Sequence, residues 1–312
     1  MFVRYLEYVV ALARERHFAR AAAACNVTQP TLSAGIKQLE ESLGVLIVER
    51  RQRFVGFTPE GEHVLAWARR GLADYDGLTQ ELSELRDGLA GQLRIGAIPV
   101  SLPALALLTT PFSAIHPKTR FQVLSQTSIE IQRDLDEFSI DVGLTYLDND
   151  PLSRVRTVPL YRERYVLITR AARGFSERNT ISWAEAAALP MCLLTPTMQN
   201  RRIIDSQFRA AGARVNAVME TNSLITLWTH LLYGEWSTIV PQTFLLLFEK
   251  RQGLISIPLV EPEAFHTLGL VASDREPLAP LPRALLRFAQ GHDLTADIER
   301  QINSLSKQPL TA

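Results

Sequence analysis

Gln29, Thr31, Ser33, Gly35, Lys37 and Gln38 fall opposite or beside an apolar stripe formed by Leu32, Ile36 and Leu39 at i, i+4, i+7 spacing. Short polar side chains near a helix start suit base edges and phosphates in a major groove. Arg50, Arg51 and Arg53 cluster in a predicted turn, where guanidinium groups suit phosphates or a minor groove. A third set has the chemistry of small-molecule binding. It comprises Pro99, Val100 and Ser101; Thr127 and Ser128; Thr145 and Tyr146; Thr195, Thr197 and Asn200; and Thr221, Asn222 and Ser223. These groups stand after predicted strands or at the starts of predicted helices, and a rim rich in hydroxyls and amides with few charges suits a small anion or oxyanion. Arg201 and Arg202 could add positive charge there. The same residues would also serve as plain helix N-caps, and the two roles can coexist. No catalytic arrangement is visible: His17, His63, His116, His230, His266 and His292 form no motif, and no His or Cys spacing suggests a metal or cofactor. Cys25 and Cys192 are the only cysteines and suggest no structural disulfide.

The elements that position the first two sets can be read locally. Phe18–Cys25 is a helix of small residues, thin enough for another helix to cross closely. Asn26-Val27 supplies a turn, Thr28 an N-cap, and Pro30 sits in the first turn of the next helix, where its missing N–H costs nothing. Leu46–Phe57 then reads as two short strands around the basic turn. An alanine-rich helix pair or an arginine cluster alone fits any helical protein with a solvated face. Their order is what reads as a winged helix-turn-helix. Residues 1–60 carry eight Lys/Arg against six Glu, so the reading rests on placement and not on net charge.

From Thr58-Pro59 a helical pattern runs to about Gly88, with apolar or small residues at Val64, Ala68, Gly71, Tyr75, Leu78, Leu82, Leu85 and Leu89. That stripe asks for a partner helix, and packing on its own domain would also satisfy it. Beyond Gln92 the pattern changes to short apolar strands at 93–98, 121–124, 141–145, 165–169, 191–194, 237–240 and 267–272, alternating with helices at 102–112, 129–138, 200–211 and 223–232. This is an α/β arrangement with a largely parallel sheet. The 312 residues, 46% hydrophobic with zero formal net charge, describe an ordinary globular protein. The sequence shows no signal pattern and no apolar run of membrane-spanning length, which predicts a cytoplasmic protein without a membrane partner.

The chain resembles the LysR-type transcriptional regulators. The residues that carry the resemblance are Leu6–Ala11, Phe18, Ala21-Ala22, Val27–Ser33, Ile36, Leu39-Glu40, Leu43–Val45, Glu49-Arg50 and Phe57–Gly61. The resemblance implies a winged helix-turn-helix over 1–58 and a linker and dimerisation helix over 59–90. It implies an effector-binding domain over 91–295 like a periplasmic binding protein, followed by a C-terminal tail over 296–312. The effector domain would comprise two Rossmann-like halves, 92–163 with 269–295 and 164–268, with a ligand in the cleft between them. Thr28, Gln29, Pro30, Thr31, Ser33, Lys37, Arg50 and Arg53 would serve DNA, whereas Ala34-Gly35 departs from the commoner polar or basic pair. Effector contacts would fall at Ser101, Thr127 and the loop 195–200. Expected partners are double-stranded DNA with a partly palindromic operator, a small effector, further copies of the chain as a dimer or a dimer of dimers, and RNA polymerase during activation.

Residues 1–60 are most similar to the peroxide-sensing branch of that family, which carries two reactive cysteines in the second half of its effector domain. Met198–Phe208, the matching stretch, has none, and Cys192 falls in a predicted buried strand. A ligand-responsive regulator is therefore the leading expectation. A thiol switch stands second, and an enzyme or transport-type binding protein stands third. Gly234-Glu235-Trp236-Ser237 replaces the small Gly-x-Gly turn usual in the family. Trp236 either narrows the cleft or packs on a neighbouring helix, and packing is the ordinary fate of a Trp.

Overall fold

The computed structural model describes residues 2–50, 54–171, 174–175, 177–247 and 253–307. They form two compact units, Met1–Gly88 with Glu137–Ser139, and Leu89–Asp136 with Ile140–Ala312.

In the first unit, α1 (Phe2–Glu15), α2 (Phe18–Ala24) and α3 (Gln29–Leu43) enclose a core of Tyr8, Val9, Leu12, Ala21, Ala22, Leu32, Ile36 and Leu39. The small face of α2 brings α3 close. Thr28 Oγ1 accepts the N–H of Thr31 to cap α3, and Gly44 in the left-handed region ends it. Gly35, expected outward or at the margin, is buried: a Cβ there would stand 2.7 Å from the Tyr8 ring. That contact explains why α3 has glycine at this position. β1 (Val48–Arg50) and β2 (Phe54–Phe57) pair antiparallel as the wing, and Phe54 meets Phe18 edge-on at 6.2 Å. The buried Glu40 carboxylate accepts the N–H groups of Ile47 and Val48, fixing the wing to α3.

Helix α4 (Pro59–Asp87) has 29 residues and is ~43 Å long. Thr58 caps it. Gly61 lies so close to the Ile47 carbonyl that a Cβ would collide with backbone. The stripe divides in two. Ala68, with Leu65 beside it, is buried near the helix start, whereas Tyr75, Leu78, Leu82 and Leu85 stand exposed.

The second unit has two sheeted halves. In the first, the strand order is β4 (Thr119–Ser125), β3 (Gly91–Ala97), β5 (Val142–Tyr146), β13 (His266–Ser273), β6 (Val155–Glu163). The β3 pairings are parallel, as strands joined through α5 (Leu102–Ile115) and α6 (Ser128–Asp136) should be. β13 runs antiparallel to both neighbours. In the second half, β7 (Tyr165–Arg170) pairs antiparallel with β11 (Thr238–Pro241) and β12 (Leu254–Val260), and β12 continues to β8 (Ile181–Ser182). β9 (Met191–Leu194) and β10 (Ala217–Thr221) form a parallel pair. The largely parallel expectation thus holds for the strands joined by helices and fails where the chain crosses between the halves, after β6 and after β12.

Short α7 (Trp183–Ala186), α8 (Gln199–Ala210), α9 (Leu224–Tyr233) and α10 (Pro280–Gly291) cover the sheets. The expected tail from 296 is mostly helix: α11 spans Leu294–Lys307, and Leu294 and Ile298 are buried in the larger core. Apolar residues at i, i+4 seat this helix, and the polar composition of the following residues hid it from the sequence reading.

Candidate functional site

The first candidate surface is the start of α3. Thr28, Gln29, Pro30, Thr31 and Lys37 are exposed and Ser33 is half-buried, while Leu32, Ile36 and Leu39 are fully buried behind them. Burial of these three side chains, at about 2 kcal/mol each, is what holds the polar face outward. The Thr28 and Thr31 hydroxyls lie 2.8 Å apart, and Lys37 pairs with Glu41 at 3.5 Å, an exposed contact that a phosphate can replace. The Tyr5 hydroxyl donates to Gln38 Oε1. Arg50 ends β1, and its side chain falls outside the described residues, as does Arg53 entirely. His17 accepts from the N–H of Ala19 and caps α2, a role that its isolated position gave no signal for.

The second candidate is a cavity of about 790 Å³ in the second unit. It is lined by Pro99, Ser125, Gln126, Thr127, Glu130, Thr195, Thr197, Met198, Glu220, Thr221 and Asn222. The lining residues come from the ends of β3, β4, β9 and β10 and the segments that follow, the position where open α/β sheets gather ligands. Six predicted residues meet here: Pro99, Thr127, Thr195, Thr197, Thr221 and Asn222. The other seven lie outside the lining, Thr145 buried on β5 and Ser223 capping α9. Val100 is buried, Ser101 is buried with its hydroxyl on the Ile98 carbonyl at 2.8 Å, and Ser128 is buried in the first turn of α6. Tyr146 and Asn200 point inward, Asn200 Nδ2 donating to the Tyr146 oxygen at 3.1 Å. Position after a strand marks the neighbourhood of a cleft. It does not say which side of the backbone a side chain takes.

The lining polar groups are largely engaged with one another. Thr127 donates its N–H and hydroxyl to Glu130 Oε2 at 2.7 and 2.9 Å, and its Oγ1 accepts the Glu130 N–H, a reciprocal cap at the start of α6. The Thr195 and Thr197 hydroxyls are 3.0 Å apart, and Thr221 Oγ1 accepts the Ser223 N–H. Glu130 and Glu220 are the charged residues of the lining, where an anion would call for cations. Arg201 is buried and turned away, with Nη1 at 2.6 Å from both the Leu194 carbonyl and Glu220 Oε1, and Nε on Asp205. Arg202 pairs with Asp150 at 3.3 Å. Trp236 stacks on His230 with centroids 5.3 Å apart and does not line the cavity.

Behind the cleft, a buried polar cluster spans the two halves. The Tyr146 hydroxyl donates to Glu163 Oε2 at 2.6 Å and lies 3.3 Å from the Tyr165 hydroxyl, while Thr243 donates to Glu163 Oε1. Burial pushes the Glu163 carboxyl up to about 8, partly offset by the hydrogen bonds from Tyr146 and Thr243. Sequence reasoning missed Glu163, since a Glu at a strand end ordinarily faces solvent. Cys192 is buried beside Met219, sulfur to sulfur 3.5 Å, and burial pushes its thiol up to about 11. The Cys25 thiol is also raised, by burial and then by Glu7. Among the described residues, no cluster of three or more His, Cys, Asp or Glu could hold a metal ion, and no helix is long and apolar enough to cross a membrane.

Residues 3–62 match the family described as bacterial regulatory helix-turn-helix protein, lysR family, and residues 86–293 match the LysR substrate binding domain. The DNA-binding transcriptional dual regulator OxyR of Escherichia coli K12 is 31% identical over 279 residues, covering 89% of this chain and 91% of that protein. Among solved structures, a full-length OxyR variant from Pseudomonas aeruginosa is 26% identical with a TM-score of 0.73, covering 92% of this chain and 97% of that one. CbnR complexed with its target DNA shares the fold, with a TM-score of 0.64 at 20% identity over 96% of this chain and 100% of that one.

Proposed function

Because this chain belongs to the LysR family of bacterial transcriptional regulators, we propose that it reads a partly palindromic duplex through α3 and adjusts that binding to a small effector held in the cleft of its second unit. The observation that carries the DNA half is the exposed polar start of α3, from Thr28 to Lys37, held outward by a fully buried apolar stripe. The exposed apolar residues Tyr75, Leu78, Leu82 and Leu85 on α4 support pairing of two copies. Two copies present two recognition helices to two half-sites, and a dimer of dimers extends the same logic. The reading places the protein in the cytoplasm with DNA, acting as a regulator and not as an enzyme, with RNA polymerase a partner when it activates.

The cavity between strand ends supports the effector half. A ligand that binds two arrangements of the halves unequally shifts their populations, and DNA binding shifts with them. Coupling can be tested without knowing the ligand. Thr195→Trp should obstruct the cavity and change the length or bend of the DNA footprint while affinity for the duplex stays within about threefold, ~0.6 kcal/mol. An unchanged footprint would separate the cleft from DNA binding.

Several relatives carry the name hydrogen peroxide-inducible genes activator, which favours peroxide response as a second reading. Cys192 argues against a thiol route: with its thiol near 11, roughly one molecule in ten thousand carries the reactive thiolate at neutral pH.

A further inference from the structure

We propose that the cleft selects a small molecule bearing a protonated amine, a primary amine or an amino acid, over a simple organic or inorganic anion. The proposal rests on reading this cavity as the effector site. Among the described residues, the charged ones that line it are the carboxylates Glu130 and Glu220, with no Lys or Arg.

At the start of α6 the donors that an anion would use are already taken: the N–H and hydroxyl of Thr127 both go to Glu130 Oε2, so a carboxylate of the protein occupies the place an anionic ligand would seek. An anion at that helix start would have to displace Glu130 and then sit beside it. Arg201 gives no relief: it is buried, its guanidinium is shared among Glu220, Asp205 and the Leu194 carbonyl, and two carboxylates outweigh its single charge.

Two carboxylate acceptors remain open in the lining. Glu130 Oε1 and Glu220 Oε2 receive no hydrogen bond among the described residues, while their sister oxygens are engaged. An ammonium group has three N–H donors and a positive charge, and a charge-assisted hydrogen bond to a carboxylate is about twice as strong as a neutral one. Asn222 and the Thr195–Thr197 hydroxyl pair remain to orient the rest of the ligand.

The test is thermal unfolding and calorimetric titration of the full-length protein with putrescine, L-lysine and L-arginine against benzoate, succinate and inorganic sulfate. At least one amine should raise the melting temperature while the anions leave it unchanged. Glu220→Gln and Glu130→Gln should each weaken that amine by about tenfold, the loss expected for one charged hydrogen bond. The Glu130→Gln amide keeps an acceptor for Thr127, and Glu220→Gln alone carries the test should that variant not fold. An anion that binds, amine binding that both variants retain, or no amine binding at all overturns the proposal. Thr195→Trp separates this failure from failure of the cleft reading. An anion lost in that variant leaves the cavity as the effector site and removes only the amine assignment. An amine that survives it binds elsewhere and removes the cleft reading as well.

Discussion

The start of α3 and the cleft of the second unit are both polar surfaces on apolar supports, yet they are built in different ways. On α3 about three turns of sequence supply cap, support and reading face, and the polar side chains from Thr28 to Lys37 are largely exposed with light mutual bonds. In the cleft, four strand ends spread over more than a hundred residues of chain meet, and most polar groups are bonded to their neighbours before any ligand arrives. An open face can exchange its few contacts for a long partner. A pre-bonded pocket discriminates by the few atoms it leaves open.

This contrast predicts that single substitutions on α3 act on DNA alone. Gln29→Ala should lower affinity for a specific duplex by about tenfold to a hundredfold, and Ser33→Ala by somewhat less, with binding to random duplex little changed. Fluorescence anisotropy with both duplexes measures this, and equal losses on both would remove α3 from base reading.

Glu163 sharpens the other side of the comparison. Its carboxyl is raised by burial from the ordinary range to about 8, with Asp148 pushing the same way, so the folded chain holds a proton that the unfolded chain releases. The stability this confers is complete at pH values below the ordinary carboxylate range and is lost as pH rises through about 8. Glu163→Gln should therefore melt about 5 °C above the parent at pH 8.5, roughly 2 kcal/mol for a domain of this size, and show no such gain at pH 5. A gain of equal size at both pH values would mean that the carboxyl is not titrating.

Lys37→Ala should have a smaller effect, a few-fold loss on every duplex and a salt-dependence slope shallower by about one, because a phosphate contact carries charge and no sequence information. Smallest of all is Cys192→Ala, for which DNA binding before and after peroxide treatment should match the parent. A peroxide response present in the parent and absent in this variant would restore the thiol route.

The same contrast governs what could be read from the chain. Thr28, Pro30 and the Leu32, Ile36, Leu39 stripe specify α3 within fifteen residues, and only Gly35 eluded that reading, since its place against Tyr8 depends on a helix crossing. For the cleft, the strand-end rule located Thr127, Thr195 and Thr197, and the predicted helix start at 223 located Thr221 and Asn222. Neither could tell that Ser101, Tyr146 and Asn200 turn inward, because one residue of register decides the side. Glu130 and Glu220 were passed over because a Glu in the first turn of a helix reads as a cap, which Glu130 is, and a Glu in a strand reads as solvated. β6 was obscured by Pro159 and its charged residues, and β10 and β12 by short or Pro-interrupted apolar runs.

Sequence reading by α3 at paired half-sites is tested by selection from a pool of random duplexes with the purified full-length protein, run in parallel with Gln29→Ala. The parent should enrich a partly palindromic motif of two half-sites, and the variant should relax base preference within each half-site while keeping their spacing. Enrichment of no motif by the parent, or of an identical motif by both proteins, would contradict it.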